Sequence, residues 1–480
     1  MKKNDWIILV VTGVYSYFFY NEMLGLNLSL FTLVLLIAAI IKDRELLKNR
    51  NWMAVAGFSL MASCSLAYFG NMLSILAVEF SLLILAGMSV SRNGSILIAY
   101  FHGFYSLIVS CGDDMRNLRE RYHNNSRNLP SQKRLLLIAI PIIISFVFIG
   151  LYRASNPIFE TITNKINLDW ISFSWIFFTL VGMWAIYGFF NAKFVSVIKD
   201  FDEPESMKVD RNQKSEYHLF GKIISVVDEN FSAKLLFVML NLVILILNLG
   251  DLNFIFVDQT LPENFTFAQF LHQGVGTLIF SILISIAIVL FYFRGELNFL
   301  SQNKFVKILA YTWLLQNIVM LLSVGFKNSI YIDLYGLTYK RIGVYIYIFL
   351  TFIGLVSTIL KIYLLKKNLF LFRMNGWSFY LVLVFSTLLN WDQMIVNNNK
   401  SLDKEIDIYY LLSLSDATLP SLQKMERNIK NPNERKYYHK LLNRKITKFR
   451  YRQSQKTWKS WSYLNAKVEN EMNYYTFLKN

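Results

Sequence analysis

Charged residues are scarce in this chain. Asp, Glu, Lys and Arg together make up 17% of the 480 residues, whereas hydrophobic residues make up 54% and aromatic residues 16%. A soluble chain of this length would have roughly a quarter of its residues charged. The apolar residues occur in discrete blocks, and this pattern excludes an ordinary soluble protein and indicates a polytopic membrane protein.

Cysteine is also scarce, since the chain has only Cys64 and Cys111. Both lie within or at the end of apolar runs, so a disulfide framework and a thiolate metal site are excluded, and we expect small core residues. His272 has no second histidine nearby in the sequence, so metal binding has no support from spacing. We therefore expect no metal and no other cofactor.

Several catalytic motifs are missing. The sequence has no Walker A motif, no HExxH, no GxSxG and no DxD pair on a plausible loop. The short "GVG" at 274–276 is too brief for a phosphate-binding loop. These absences exclude the enzyme classes that depend on those motifs, but they leave a different kind of membrane enzyme open.

Twelve apolar runs are long enough to be considered as membrane helices. A spanning helix needs about 20 mainly apolar residues, and continuous blocks favour helices over the alternating strands of a barrel. We therefore predict an all-α, polytopic membrane helix bundle of 11–12 transmembrane helices. The runs are Trp6–Tyr20, Leu26–Ile41, Trp52–Phe69, Met72–Val90, Ile96–Cys111, Leu135–Tyr152, Ile171–Ala192, Ala233–Leu249, Val275–Phe293, Val306–Phe326, Gly343–Leu365 and Trp377–Leu389.

Loop charge predicts the orientation, because Lys and Arg concentrate on the cytoplasmic side. The basic loop after the seventh run is predicted to be cytoplasmic, and the stretch at 250–274, which has no Lys or Arg, is predicted to lie outside. Residues 42–50 and 113–134 are both basic, yet five full spans before Gly112 would separate them. We therefore expect Ile96–Cys111 to be re-entrant or to lie along the membrane, giving eleven spans with the N-terminus inside and the C-terminus outside. The alternative is that all twelve runs span.

The composition changes after the last run, and we predict a transmembrane bundle over 1–390 and a polar, basic, helical domain over 391–480. The formal net charge is +17, and we count 17 Lys and Arg against 9 Asp and Glu after Asn390. Asp416 is a candidate N-cap, and a long basic helix is predicted from about Asn433. The candidates for its buried stripe are Leu441, Leu442, Ile446, Phe449, Trp458 and Trp461.

Polar residues follow several even-numbered runs and should therefore emerge on one face of the membrane. These loops contain Gln269, His272, Asp333, Arg341 and Asp392. One hypothesis is a ligand-binding mouth with Gln269, His272, Arg341 and Asp392, and with His272, Asp333 and Asp392 as weak catalytic candidates. The alternative is the ordinary enrichment of polar and aromatic residues at any membrane interface, where Arg341 extends to the headgroups and could pair with Asp333.

Three polar residues lie inside predicted spans. Glu79 is in the middle of an apolar run, where a carboxyl group is costly and so a functional candidate, although a hydrogen bond to a neighbouring helix is an equal alternative. Asn241 and Asn248 are seven residues apart and would share one helix face. We interpret these two first as hydrogen-bonding groups between helices.

Five stretches of the chain together resemble a known family. They are "LGLNLSLFTLVLL", "ASNPIFETI", "FAQFLHQGVGTLI", "YGLTYKRIGVYIYIF" and "NWDQMIVNNN…IDIYYLLSLSDATLPSL". The chain resembles a bacterial polytopic membrane family catalogued as domain of unknown function four-one-seven-three, with a sister family four-one-five-three. The resemblance implies a bacterial cytoplasmic-membrane protein with a polar C-terminal region, and it implies no substrate, cofactor or catalytic residue.

Two classes of function follow as expectations. The first is an envelope scaffold, sensor or permease-like protein with a polar mouth outside the cell. The second is an integral membrane enzyme acting on a lipid-linked substrate. We expect membrane lipids as partners, another envelope protein as a partner of the C-terminal domain, and no nucleic acid.

Overall fold

The computed structural model describes residues 3–92, 94–123, 172–195, 217–219, 222–257, 267–300, 302–400, 407–429 and 431–477, with scattered positions between them. We number the helices found there from α1 to α16. They are α1 Lys3–Phe19, α2 Leu26–Lys42, α3 Arg50–Phe69, α4 Met72–Met88, α5 Ile96–His123, α6 Phe173–Phe190, α7 Val226–Phe256, α8 Phe267–Tyr292, α9 Lys304–Tyr335, α10 Tyr339–Tyr363, α11 Asn368–Ser386, α12 Trp391–Lys400, α13 Ile408–Ser413, α14 Leu419–Asn428, α15 Pro432–Ser454 and α16 Tyr463–Phe477. A short antiparallel hairpin, β1 Tyr217–Leu219 with β2 Lys222–Ile224, precedes α7.

The prediction of a polytopic all-α membrane bundle is confirmed. Seven helices of the described part are long and apolar enough to cross a membrane, and four shorter apolar helices accompany them. These eleven helices coincide with eleven of the twelve predicted runs. Most of the remaining run, Leu135–Tyr152, lies outside the described residues.

The chain divides into two compact units. Unit 1 contains residues 1–93, 98–200 and 456–463, and unit 2 contains 94–97, 201–455 and 464–480. The predicted boundary at residue 390 stays a prediction.

In unit 1, helix α3 and helix α4 form a tight antiparallel hairpin whose ends are set by local sequence. Asn49 caps the start of α3, and its side chain accepts hydrogen bonds from the next backbone N–H groups. Gly70 ends α3 in the left-handed conformation with φ of 63°, which glycine adopts without a steric penalty. Asn71 follows at once and caps α4 through the N–H of Ser74.

The C-terminal ends of α2, α4 and α6 meet at one end of unit 1. There the Lys42 ammonium donates to the carbonyl oxygen of Phe190 and to Asn191 Oδ1 at 3.1 Å. A cavity of about 370 Å³ lies between these helix ends. Its lining includes Lys42, Asp114 and Lys193, and Asp114 binds the Lys193 ammonium at 2.7 Å. The cavity is therefore lined by charges that already have internal partners.

Helix α5 crosses this same end of unit 1. A Cβ atom on Gly87 of α4 would lie 1.8 Å from the carbonyl oxygen of Ala99, so glycine permits the close approach of the two helices. Further along α5, the Leu107 carbonyl oxygen accepts from the Trp184 indole at 2.7 Å, and Asp114 reaches Lys193. The residues that α5 contacts, Gly87, Trp184 and Lys193, lie within about six residues of the C-terminal ends of α4 and α6 or just beyond those ends.

The length of α5 between Ala99 and Asp114 can be compared with the length expected for a helix antiparallel to α4 and α6. From Ala99 to Asp114 an α-helix rises about 22 Å. A helix antiparallel to α4 and α6 would place Asp114 at the opposite end of unit 1, near Asn71 and Ser172, where those helices begin. Asp114 instead shares the cavity with Ser89, beyond the end of α4. This placement favours the expectation that Ile96–Cys111 lies along the membrane, although its length and composition also suit a span.

The two cysteines differ from expectation, because Cys64 is exposed on α3 and Cys111 is half-buried, and both are free thiols. The outer surface of a membrane helix is apolar, so a small apolar residue is as acceptable there as in the core.

In unit 2, the apolar core lies among α7, α8, α9 and α10. Phe237, Phe293, Trp313 and Leu355 are among its buried members. Tyr292 at the end of α8 contacts Ser232 near the start of α7, and Lys361 near the end of α10 contacts the Phe293 carbonyl oxygen. The end of α7, the start of α8, the α9–α10 turn and the end of α11 therefore share the opposite end of unit 2.

A helical layer, α12 to α15, packs at that opposite end of unit 2, and α16 adds Val468 and Met472 to its core. Its core joins Ile395 and Val396 of α12 to Leu422 of α14, Leu442 of α15 and Ile342 of α10. We call residues 391–455 of this assembly the C-terminal layer. The layer belongs to the same compact unit as the membrane helices beneath it.

Two local expectations for the layer need correction. Helix α14 begins at Leu419, so Pro420 lies in its first turn, and Asp416 instead begins a short 3-10 turn and pairs with Arg452 at 2.6 Å. Helix α15 ends at Ser454, so Trp458 and Trp461 lie beyond it and are exposed rather than part of its buried stripe. Within α15, Leu442 and Phe449 are buried as predicted.

Candidate functional site

The turn between α9 and α10 is bound by one buried asparagine of α12. Asn399 Oδ1 accepts from the Leu337 N–H at 2.5 Å, and Asn399 Nδ2 donates to the Leu337 carbonyl oxygen at 3.0 Å. Gly336 has φ of 82°, and a Cβ atom there would lie 2.7 Å from Asn399 Oδ1. The amide thus fixes a glycine turn that another residue would strain.

Arg341 lies beside this turn and binds backbone rather than a carboxylate. Its guanidinium donates to the carbonyl oxygens of Tyr335 and Gly336 and stacks 4.1 Å from the ring centre of Tyr331. A cation at a helix C-terminus is favoured by the unpaired carbonyl groups there. Asp333 is exposed on the preceding turn and is not the partner of Arg341.

Asp392 lies at the start of α12 and belongs to the same joint. Its Oδ1 accepts from the Tyr339 hydroxyl at 2.8 Å, and the Tyr339 N–H donates to the Tyr410 hydroxyl at 2.8 Å. Burial raises the pKa of the Tyr410 phenol above its ordinary value, so the group stays neutral. Three elements, α10, α12 and α13, are therefore joined by a short polar chain.

Gln269 and His272 lie in the first turns of α8, at the same end of unit 2. Their side chains are outside the part of the chain that the structure describes. Their proposed roles in ligand binding and catalysis stay predictions. Arg341 and Asp392 do come together, but through Tyr339 and the turn, with Arg341 Nη1 and Asp392 Oδ1 already bound to protein groups.

Asn241 and Asn248 form part of a polar column between α7 and α9. Asn241 Nδ2 donates to the Leu309 carbonyl oxygen at 3.0 Å, and Asn241 Oδ1 accepts from Gln316 at 2.7 Å. Asn248 donates to the Gln316 carbonyl oxygen at 3.0 Å. The shared face expected from their spacing is present, and it hydrogen-bonds two helices together.

Charged groups that we did not single out from the sequence also join helices of unit 2. Lys327 of α9 binds Asp251 of α7 at 2.5 Å, and both side chains are largely buried. Lys361 of α10 is 1% exposed and donates to the Phe293 carbonyl oxygen at 2.6 Å. The signal that could have found them is a lone charge within an apolar run or just beyond its end, which calls for a partner on a neighbouring helix.

Glu79 is exposed on the surface of α4, and it is not among the residues that line the cavity of unit 1. Its predicted role in the membrane stays a prediction. Among the described residues, no group of three or more His, Cys, Asp or Glu side chains could hold a metal ion. Neither Asp333 nor Asp392 contacts a histidine side chain that the structure describes.

The outer face of α15 carries a row of cations. The helix has a single acidic residue, Glu434, and eight lysines and arginines. Four exposed cations recur at every fourth position along it, and we call them the cationic stripe: Lys436, Lys440, Arg444 and Lys448. None of the four forms an ion pair with a described residue.

Comparison with known proteins identifies a family but no activity. No curated protein and no solved structure matches the chain. The sequence motifs pointed to family four-one-seven-three, whereas the family model that matches is numbered 4153 and covers residues 7–425. The cationic stripe lies beyond the matched residues. The chain is a multi-pass membrane protein and belongs to the family described as Domain of unknown function (DUF4153).

Proposed function

We propose that this protein is a scaffold of the bacterial envelope, inserted in the cytoplasmic membrane, that holds the C-terminal layer outside the hydrocarbon core for a partner to bind. The observation that carries the proposal is the joint between the membrane helices and the layer. Asn399 binds the α9–α10 turn, and Asp392 binds Tyr339 at the start of α10. These are part-buried hydrogen bonds between elements, and they suit a fixed platform.

The charge of the two ends of unit 2 supports an extracytoplasmic layer. Near the end away from the layer lie cations of the loops and helix ends, which are Lys222, Arg294, Lys304, Lys307, Lys366 and Lys367. At the layer's end, Lys340 and Arg341 lie at the start of α10, and the sequence between α7 and α8 has no Lys or Arg. Lys and Arg in short loops favour the cytoplasm, whereas a long terminal domain crosses largely irrespective of its charge.

Cysteine labelling on intact cells tests this placement. After replacement of Cys64 and Cys111 by alanine, a single cysteine is introduced at Asn433 in the layer, or at Asn368 at the start of α11 as the matched control. A membrane-impermeant maleimide should label the cysteine at 433 on intact cells, and the cysteine at 368 only after permeabilisation. Labelling at 433 that requires permeabilisation would contradict the proposal.

A permease-like function is the closest alternative, since α7 and α9 carry a polar column. The column favours a scaffold because Asn241 and Gln316 bind one another across the two helices. A cysteine at Gln316 should therefore resist a small, water-soluble thiol reagent in membranes. Rapid modification there would reveal an aqueous path and favour transport.

The enzyme alternative requires His272 with Asp333 or Asp392 on a lipid-linked substrate. Against it, the residue Asp392 is only 9% exposed, and its Oδ1 already accepts a hydrogen bond from the Tyr339 hydroxyl. A base that must take a proton from substrate needs a free, reachable oxygen. The scaffold is therefore the better-supported function.

A further inference from the structure

The position of α15 within the layer makes its outer face available. Helix α15 packs on α13 and α14, and α14 packs in turn on α12, which binds the α9–α10 turn. The buried side chains of α15, Tyr438, Leu442 and Phe449, point into the layer core. The stripe lies on the opposite face, so it points away from the helices that anchor the layer.

The stripe is a regular array of charge. Residues four apart lie about 6 Å apart along an α-helix, so the four cations extend over about 18 Å. No acidic side chain lies among them, because Glu434 precedes the stripe in the first turn. By contrast, Arg452 and Lys445 near the buried side of the same helix bind Asp416 and backbone carbonyl oxygens. On the buried side of the helix Lys445 and Arg452 have partners, whereas on the opposite face the stripe forms no ion pair with a described residue.

We propose that the cationic stripe of α15 binds a linear phosphate-bearing polymer of the aqueous compartment outside the membrane. An extended polyanion can follow a row of cations that winds about 120° around the helix, and it can release its counterions on binding, which no single small anion can do. This inference rests on the proposed scaffold function, and it names the chemical class of the partner.

The geometry disfavours two other occupants. A membrane surface would have to meet the stripe from the side opposite the bundle, since the stripe faces away from the anchoring helices. A folded acidic protein would call for apolar contacts beside the charges, because interface cores are depleted in charge. The exposed face of α15 offers only Tyr437 and Tyr451 as large apolar groups.

Binding to the purified full chain in nanodiscs of zwitterionic lipid tests the proposal. The probe is a fluorescent linear polyphosphate, and the variant is Lys440→Gln with Arg444→Gln. The matched control is Lys400→Gln with Lys424→Gln, which removes the same charge from exposed positions on α12 and α14. The stripe variant should bind about tenfold more weakly, and the slope of log affinity against log salt should fall by about 1.4 for two lost contacts.

The other arms can each overturn the proposal. Equal loss of affinity in both double variants would mean that net charge alone attracts the probe, and no saturable binding by the native sequence would also end the proposal. Tighter, stripe-dependent binding of anionic lipid vesicles, of poly-glutamate or of a single-stranded oligonucleotide would assign the stripe to a membrane, an acidic protein or a nucleic acid instead. Competition by orthophosphate at equal phosphate concentration would show that a polymer is not required.

This experiment and the labelling experiment fail independently. If the stripe does not bind polyphosphate but residue 433 is labelled on intact cells, the scaffold function stands and its partner is of another class. If the stripe binds polyphosphate but residue 433 is labelled only after permeabilisation, the extracytoplasmic placement is wrong and the binding chemistry of the stripe stands.

Discussion

Several polar side chains in this protein bind backbone groups of another element. Asn399 binds both polar groups of Leu337, and Lys445 binds the carbonyl oxygens of Leu412 and Leu414 at the end of α13. Buried polar groups are costly when unpaired, so each such side chain joins two elements at a defined position. Asn399 joins the layer to the α9–α10 turn, and Lys445 joins two helices within the layer.

Replacement of Asn399 by alanine should loosen the layer. The change leaves the Leu337 N–H and carbonyl oxygen without their partners, at a cost of about 1–3 kcal/mol. Hydrogen exchange of α12 and of the α9–α10 turn should become faster. The control is Asn397→Ala, an exposed residue of the same helix. Equal protection in the two variants would mean that the apolar core alone holds the layer.

The burial of Lys445 leads us to predict that the free energy of unfolding rises at alkaline pH. Burial lowers the pKa of its ammonium below the ordinary value, so the unfolded chain binds more protons than the folded chain between the two pKa values. The free energy of unfolding should therefore increase as pH rises through that interval towards about 10.4. Thermal unfolding at successive alkaline pH values measures this increase.

The Lys445→Met variant supplies the comparison, because it keeps the aliphatic chain and has no group to titrate. Its stability should lack the increase that the native chain shows over the same pH interval. An identical pH profile for the two proteins would exclude Lys445 as the source.

At the scale of elements, the apolar runs predicted nearly every membrane helix, because a span must satisfy its own backbone hydrogen bonds and expose apolar side chains. The path of α5 was not determined by that pattern. Its run is as apolar as several spans, yet Gly87 and the ends of α4 and α6 place it across one end of unit 1. Only its neighbours show this.

The crossing path of α5 predicts labelling from one side of the membrane. In a chain without Cys64 and Cys111, single cysteines at Ser91 and Gly112 should both react with an impermeant maleimide from the same side. A cysteine at Met72, which is 65% exposed at the start of α4, should react from the other side. Reaction at 112 from the side of 72 would show that α5 spans.

At the scale of the whole molecule, a segment late in the chain, residues 456–463, packs against the residues between α1 and α2. Glu22 Oε2 accepts from the Thr457 hydroxyl at 2.7 Å and from the Ser460 hydroxyl at 3.2 Å, and Lys459 lies 3.4 Å from the other carboxylate oxygen. The Leu26 N–H also donates to the Trp461 carbonyl oxygen at 3.1 Å. Residues 456–463 are thereby part of unit 1 rather than of the layer.

Replacement of Glu22 by alanine should release this segment. Three polar partners lose their acceptor, and we expect a loss of about 1–3 kcal/mol in local stability. Trypsin should then cut after Lys456 or Lys459 faster than in the native chain. Glu45→Ala is the control, since that exposed carboxylate binds only Lys48 on the next turn. Unchanged cleavage in the Glu22 variant would mean that packing alone retains the segment.

The sequence by itself determined that this is a helical membrane protein with a basic C-terminal region, because hydrophobicity and charge act locally on each segment. It also indicated the shared face of Asn241 and Asn248, since helical spacing is a local property. Only the tertiary structure decided that Arg341 binds the end of α9 rather than Asp333, that α5 packs across the ends of α4 and α6, and that the cationic stripe forms no ion pair with a described residue. Those outcomes depend on which residues from distant segments meet, and contacts between distant segments are set by packing, which no single segment encodes.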